Sequence, residues 1–353
     1  MGALDPARSV RWVAAGPDAC DLDVDGALAR GGSPAVRREA DRGEGGAMKG
    51  RDVEALNTAS SAGGLQTAFR TLVDFVELTK PRIGALVFFA AFTGAYLAGG
   101  AHAEFSRILL AAVCITSVAA SSCVFNHIIE RDVDRLMHRT AQRPLVAGRV
   151  EVRDAVFFAS LLGILGVSVL AIAFNLQSAL LALATLAAYA LVYTPLKRAT
   201  SLNTIVGAIP GAMPPFLGCV AIAGAPGPWG WILFGILFAW QFPHFLAIAW
   251  LYREDYARAG MQMLPALPGS QGIAGRQSLL YSLVLLPLSL LPAVRGDAGL
   301  VYGGAVLVLG LGYVGASLAF ARRESVRTAR TLLYSSLIHL PLVFVAALID
   351  PVV

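Results

Sequence analysis

The chain has 353 residues, 56% hydrophobic and only 14% charged, whereas a soluble domain carries about 25% charged residues. Most of it therefore belongs in a bilayer. The net charge of +5 is spread over short loops rather than gathered in a patch, so it gives no sign of nucleic-acid binding. Cys20, Cys114, Cys123 and Cys219 lack the CxxC or CxxCH spacing of a zinc knuckle or an attached haem, and read as small buried hydrophobes.

Residues 1–70 are rich in Asp, Arg, Gly and Ala, with no sustained period, and read as a disordered extension. They lack the continuous apolar run of a signal peptide, and Met48 is an alternative start. From residue 71 to 353, stretches of membrane length recur, roughly 20 residues each. Nine helices are expected, centred near Ala91, Thr116, Gly163, Ala184, Gly211, Ala239, Leu285, Val308 and Pro341. Backbone amides at bilayer depth must be satisfied internally, so the fold class is an all-α, polytopic membrane bundle. The alternation of a barrel strand is missing.

The second span ends in the strongest functional signal. Asn126, Glu130 and Asp134 are spaced four apart. On a helix they share one face, drifting only about 40° per step. Ionisable groups at a membrane boundary are costly and need a reason to exist. Three oxygen donors in register, with Asp132 beside them, form a site for Mg2+ shared with a diphosphate. Arg139 and Arg143 follow as diphosphate ligands, and Lys197 and Arg198 follow the fourth span.

Pro210, Pro214 and Pro215 should break or bend the fifth span. The result is either a wide apolar cavity or close packing through Gly207 and Gly211. His244 lies in the sixth span, where an imidazole can contact a metalloporphyrin iron. His127 and His339 are ambiguous, since buried histidines are often merely hydrogen-bonded. The sixth span ends in a second charged run, Trp250 to Gly260, whose Glu254 and Asp255 offer another carboxylate pair. The repetition of this device four spans apart suggests an internal repeat with a site at its interface.

The basic residues fall in alternate loops: Lys80 and Arg82, then Arg131 to Arg153, Lys197 and Arg198, Arg253 to Arg276, and Arg322 to Arg330. The positive-inside rule puts these loops and the N-terminus in the cytoplasm, and an odd number of spans leaves the C-terminus outside. The residues alone leave two classes open, an interfacial enzyme acting on a lipid with a soluble head or a secondary transporter. Transporter sites lie near the midplane, so carboxylates at the helix ends favour the enzyme.

The run Asn126-xxx-Glu130-xxx-Asp134 with Arg139-Thr140 and Arg143-Pro144 resembles the first aspartate-rich motif of the UbiA superfamily of intramembrane prenyltransferases. Three further motifs, Tyr193–Arg198, Trp240–Phe245 and Asp255–Pro265, are similar to those of its protoheme IX farnesyltransferase family, the haem O synthases. The resemblance covers roughly Leu72 to the C-terminus. It implies a nine-helix UbiA-like bundle in a bacterial inner membrane that transfers farnesyl from farnesyl diphosphate to a vinyl group of haem B. Water addition then gives haem O, for a downstream haem A synthase or terminal oxidase. It implies Asn126, Glu130, Asp134 and Asp255 as catalytic metal ligands, and Arg139, Arg143 and Lys197 as diphosphate ligands. Glu130 and Tyr252 stand where aspartate is usual, which leaves Asp255 to carry the second motif. A prenyltransferase for a quinone precursor would share the diphosphate site and differ in its acceptor.

If Met48 is the true start, mass spectrometry of the native protein will find no peptide upstream of it. Any such peptide refutes the later start.

Overall fold

The computed structural model describes residues 69–100 and 103–352. The expectations for residues 1–68, a start at Met48 included, lie outside the described residues. Residues 69 and 70, assigned by sequence to the extension, are helical, as is the chain through residue 78. Leu78 is fully buried, Phe75 packs edge-on against Phe158 at 5.1 Å, and Arg149 pairs with Asp74 at 2.8 Å and Glu77 at 3.3 Å.

Nine helices among the described residues are long and apolar enough to cross a membrane. They are α1 (Pro81–Gly99), α2 (Phe105–Asp134), α3 (Val152–Ala173), α4 (Leu176–Leu196), α5 (Asn203–Ala223), α6 (Gly227–Leu251), α7 (Ile273–Arg295), α8 (Leu300–Arg322) and α9 (Val326–Ile349). Each contains one of the nine expected centres. The protein is an all-helical, polytopic membrane protein.

Local chemistry explains the ends. Pro81, which has no N–H to leave unsatisfied, opens α1. Asn175 caps α4 by accepting from Ser178 N, while its Nδ2 donates to the Val220 and Ala221 carbonyls at the end of α5. Ser325 and Thr328 form a capping box on α9. The Glu324 carboxylate accepts from Gly272 N, Gly275 N and the Trp250 indole, tying α6, α7 and the α8–α9 loop together.

Helices α5 and α6 are central, with 67% of their most apolar windows buried against 22% for α4. One apolar core joins α1 to α4 and α5, and a second joins α5 to α9 with part of α1. Outward-facing Ile172 and Leu300 are almost fully exposed, as lipid-facing side chains should be. The three prolines do not break α5, which runs continuously from Asn203 to Ala223. Close packing holds it. A Cβ on Gly94 of α1 would run into the Pro215 backbone, and one on Gly218 of α5 into the Ala91 carbonyl. Small residues at such crossings let backbones approach where lipid gives no hydrophobic drive.

Replacing Gly94 with leucine should destabilise the detergent-solubilised protein by about 1–3 kcal/mol or more. A lowered midpoint of thermal unfolding checks it; an unchanged midpoint would mean that the α1–α5 contact is not tight.

Candidate active site

The site is built on the last three turns of α2. Asn126 and Asp134 are 1% exposed and Glu130 7%, so the shared face predicted from their spacing points inward. Asp132 does not join them. It projects into solvent between Arg131 and Arg135.

Each of the three inward groups meets a cationic side chain from a different segment. The Lys80 Nζ donates to Asn126 Oδ1 at 2.9 Å, Lys197 Nζ lies 2.8 Å from Glu130 Oε1, and Arg143 Nη1 donates to Asp134 Oδ2. A buried charge costs too much without a partner, so these pairs bring together the start of α1, the end of α4 and the α2–α3 loop. Sequence reading counted Lys80 only as an anchor. Its backbone is left-handed, with φ of 54°, a costly conformation for a side-chain-bearing residue that turns the chain sharply into Pro81.

Lys197 is placed by an irregular stretch of α4. Ala188–Tyr193 is a π-helix, closed by Thr194 N donating to Tyr189 O, and the following Pro195 has no N–H with which to resume the α-helical ladder. Thr194 Oγ1 also donates to Tyr189 O and accepts from Asn126 Nδ2 at 3.2 Å. The Tyr193 ring, 4.7 Å from Lys197 Nζ, occupies the space that a Cβ on Gly207 would take. Gly211 likewise makes room for Gln241, so close packing rather than an opened cavity describes this part of α5. The Lys197 backbone is fixed by Gln262 N donating to its carbonyl at 2.7 Å, and Asn203 Nδ2 binds the Gln262 carbonyl at 3.0 Å. Sequence reading assigned no role to Thr194, Asn203 or Gln262. The motifs Tyr193–Arg198 and Asp255–Pro265 contain Thr194 and Gln262, and no motif contains Asn203.

The second charged run packs over this end. Val133 and Met137 meet Tyr256, Ala259 and Met261. Arg139 is exposed, with its guanidinium 5.2 Å from the Tyr252 ring and 3.5 Å from Tyr256 Oη. Asp255 pairs with Arg258 at 3.0 Å, and Glu254 is 82% exposed beside Arg253. Among the described residues, no three His, Cys, Asp or Glu side chains converge as an ion-binding group, so Asp255 stands apart from Glu130 and Asp134. A cavity of about 410 Å³ adjoins Glu130, lined also by Ile129, Val133, Thr194, Pro195 and Arg198. His244 lies apart from this end, bonded through Nδ1 to Ser336.

The donor set suits a hard divalent cation. Asp134 Oδ1 is buried without a hydrogen-bond partner, and a buried carboxylate oxygen left bare is a ready metal ligand. Burial pushes the Lys80 ammonium down to about 8. At Lys197 burial acts in the same direction, but Tyr193 and Glu130 outweigh it and hold the amine above the ordinary lysine value.

The model of the UbiA prenyltransferase family matches residues 87–338, a span that includes Asn126, Glu130, Asp134 and Lys197. The chain belongs to the UbiA prenyltransferase family. Among its relatives, a protein named protoheme IX farnesyltransferase from Solibacter usitatus is 41% identical over 287 residues, covering 78% of this chain and 98% of its own length. One of the same name from Gloeobacter violaceus is 39% identical over 283 residues, covering 80% and 92%. Two solved UbiA homologs share the fold. The apo form from Aeropyrum pernix matches with a TM-score of 0.62 at 23% identity, over 74% of this chain and 98% of its own. The homolog from Archaeoglobus fulgidus bound to GPP and Mg2+ matches with a TM-score of 0.59 at 18% identity, over 78% and 100%.

An anion held by the three cations needs Lys80 charged. Measured relative to a variant with a permanently charged side chain at this position, pyrophosphate affinity should be level below about pH 8 and fall above it by up to about tenfold per pH unit, as Lys80 loses its proton. Lys80→Arg, which stays charged, should abolish the fall near pH 8 in a calorimetric titration. A fall that persists in this variant would assign it to another group.

Proposed function

We propose that the chain transfers a farnesyl group from farnesyl diphosphate to a vinyl group of haem B, with addition of water, giving haem O. The observation that carries this reading is the 41% identity spanning 98% of a protein named protoheme IX farnesyltransferase. The quinone-precursor alternative shares the diphosphate chemistry and differs in its acceptor.

In this reading Asn126, Glu130 and Asp134 hold Mg2+, with Asp255 brought in from the second charged run. The bare Asp134 Oδ1 supports the choice of a hard cation. Magnesium, when bound, neutralises charge on the departing diphosphate. The chain's own cations do the rest of that work. Lys80, Lys197 and Arg143 stand at the same three donors, preorganised to stabilise negative charge as the allylic carbon–oxygen bond breaks. Arg139, over Tyr252 at the mouth, binds the outer phosphate. The Tyr189 and Tyr193 rings lie 5.2 Å apart beside this end and favour the allylic cation by about 0.5–2 kcal/mol each through their faces. The apolar bundle keeps water from that cation until the vinyl carbon has attacked it. Water then supplies the hydroxyl of the product.

In this reading the charged end faces the cytoplasm of a bacterial inner membrane and the C-terminus lies outside, an orientation that the basic loops support. Farnesyl diphosphate then docks its head from the cytoplasm while its tail lies in the bundle. The product would pass to a haem A synthase or a terminal oxidase.

Membranes containing the protein, given haem B, farnesyl diphosphate and Mg2+, should yield a haem heavier by one farnesyl group and one hydroxyl. Chelator should stop its formation, and Asp134→Ala should abolish it. Prenyl diphosphate consumed with no change in haem mass would refute the haem acceptor, and normal turnover by Asp134→Ala would refute the metal site.

A further inference from the structure

We infer that a second cavity, where α6 ends, α7 begins and α8 ends, binds the phosphate of an anionic phospholipid headgroup through Arg253 and Arg322. The cavity holds about 480 Å³, with Trp250, Gln271 and Glu324 on its polar side and Pro265 and Leu267 on its apolar side. It shares no lining residue with the cavity beside Glu130, and the inference depends on neither the acceptor nor the metal.

The charge in this cavity is unbalanced. Glu324 is the one carboxylate among its lining residues, and both of its oxygens are engaged elsewhere. Its Oε1 accepts from Gly275 N at 2.8 Å, and its Oε2 from Gly272 N at 3.1 Å and the Trp250 indole at 3.2 Å. The acid is thus bound to the opening turn of α7 and to α6, and neither arginine pairs with it.

The two arginines are free to take an anion. The Arg253 guanidinium lies 4.3 Å over the Trp250 ring, and its Nη1 donates to the Trp250 carbonyl at 2.9 Å. Stacking and that bond hold the group in place. Its Nη2 meets only Glu254, at 3.5 Å, whose side chain is 82% exposed, and such surface pairs are weak. Arg322, in the last turn of α8, has no ion-pair or hydrogen-bond partner among the described residues. A guanidinium fork matches two oxygens of a phosphate.

The place selects a lipid. Three membrane spans reach their ends around this cavity, and a tryptophan at a span's end sits at headgroup level. Arg276, Arg323 and Arg327 in the adjoining segments add further positive charge. In the orientation proposed above these ends lie in the cytoplasmic leaflet, whose anionic lipids are drawn to such clusters. A lipid also meets Pro265 and Leu267 with apolar surface that a soluble phosphate lacks. The Gln271 amide makes no side-chain hydrogen bond among the described residues and suits a hydroxyl-bearing headgroup, so phosphatidylglycerol is the probe.

The full-length protein, stripped of lipid in detergent, should be titrated with dioleoylphosphatidylglycerol, dioleoylphosphatidylcholine and inorganic phosphate, and the bound species counted by native mass spectrometry. One phosphatidylglycerol should be retained with about tenfold preference over phosphatidylcholine. Arg322→Gln, which removes no contact made within the protein, should weaken its binding about fivefold, and the double variant Arg253→Gln/Arg322→Gln about 25-fold. Arg107→Gln, at the opposite end of the bundle, should bind it as the unaltered protein does. Equal retention of the two lipids would overturn the site, as would an Arg322→Gln protein with its preference intact. Inorganic phosphate bound as tightly as phosphatidylglycerol would overturn the lipid and leave a soluble anion as the ligand.

Discussion

Three buried pairings, Lys80 with Asn126, Lys197 with Glu130 and Arg143 with Asp134, hold the charged end of this bundle together. A carboxylate buried at a membrane boundary is costly when it stands alone, and the penalty for breaking such a pair is large because one charge is left without compensation. Each cation comes from a different segment, so satisfying the face of α2 fixes where α1 begins, where α4 ends and how the α2–α3 loop folds back. The site's geometry and the packing of this end are therefore one problem with one solution.

The helices supply that solution by departing from ideal geometry at a few places. The π-helix in α4 carries Tyr193, Thr194 and Lys197 towards α2, and Gly207 in α5 leaves the space that the Tyr193 ring fills. Lys80 adopts a left-handed backbone, and Pro81 starts a new helix at once. Strain and irregularity of this kind gather at functional sites when the surroundings compensate them. Away from the site the rules are plainer: small residues at the α1–α5 crossing, apolar residues facing outward, and caps made from Asn175, Ser325 and Glu324.

The two ends of the proposed reaction ask for different surroundings, and the bundle provides both. Negative charge develops at the charged end, where cations are already fixed and little reorganisation is needed. The proposed carbon–carbon bond formation needs apolar surroundings that keep water away, which the helices of the bundle supply.

Much of this was legible in the sequence, because bilayer physics leaves few alternatives. Apolar runs of sufficient length have to be helices there, so the nine spans were readable one by one. A four-residue spacing puts Asn126, Glu130 and Asp134 on one face whatever surrounds them. The partners of that face were not readable. Lys80 is 46 residues from Asn126, and Lys197 is 67 residues from Glu130; no local period links such pairs. Nor could spacing show that Asp132 turns to solvent, that Asp255 turns to Arg258, or that α5 passes unbroken through three prolines. The Ser336 hydroxyl that meets His244 Nδ1 at 2.7 Å lies 92 residues away in the chain. Local pattern and the solvent determined the helices and the donor face; which charge meets which, and which lone pair is left bare, only the packing of helices distant in sequence decided, because those energies exist only once the segments touch.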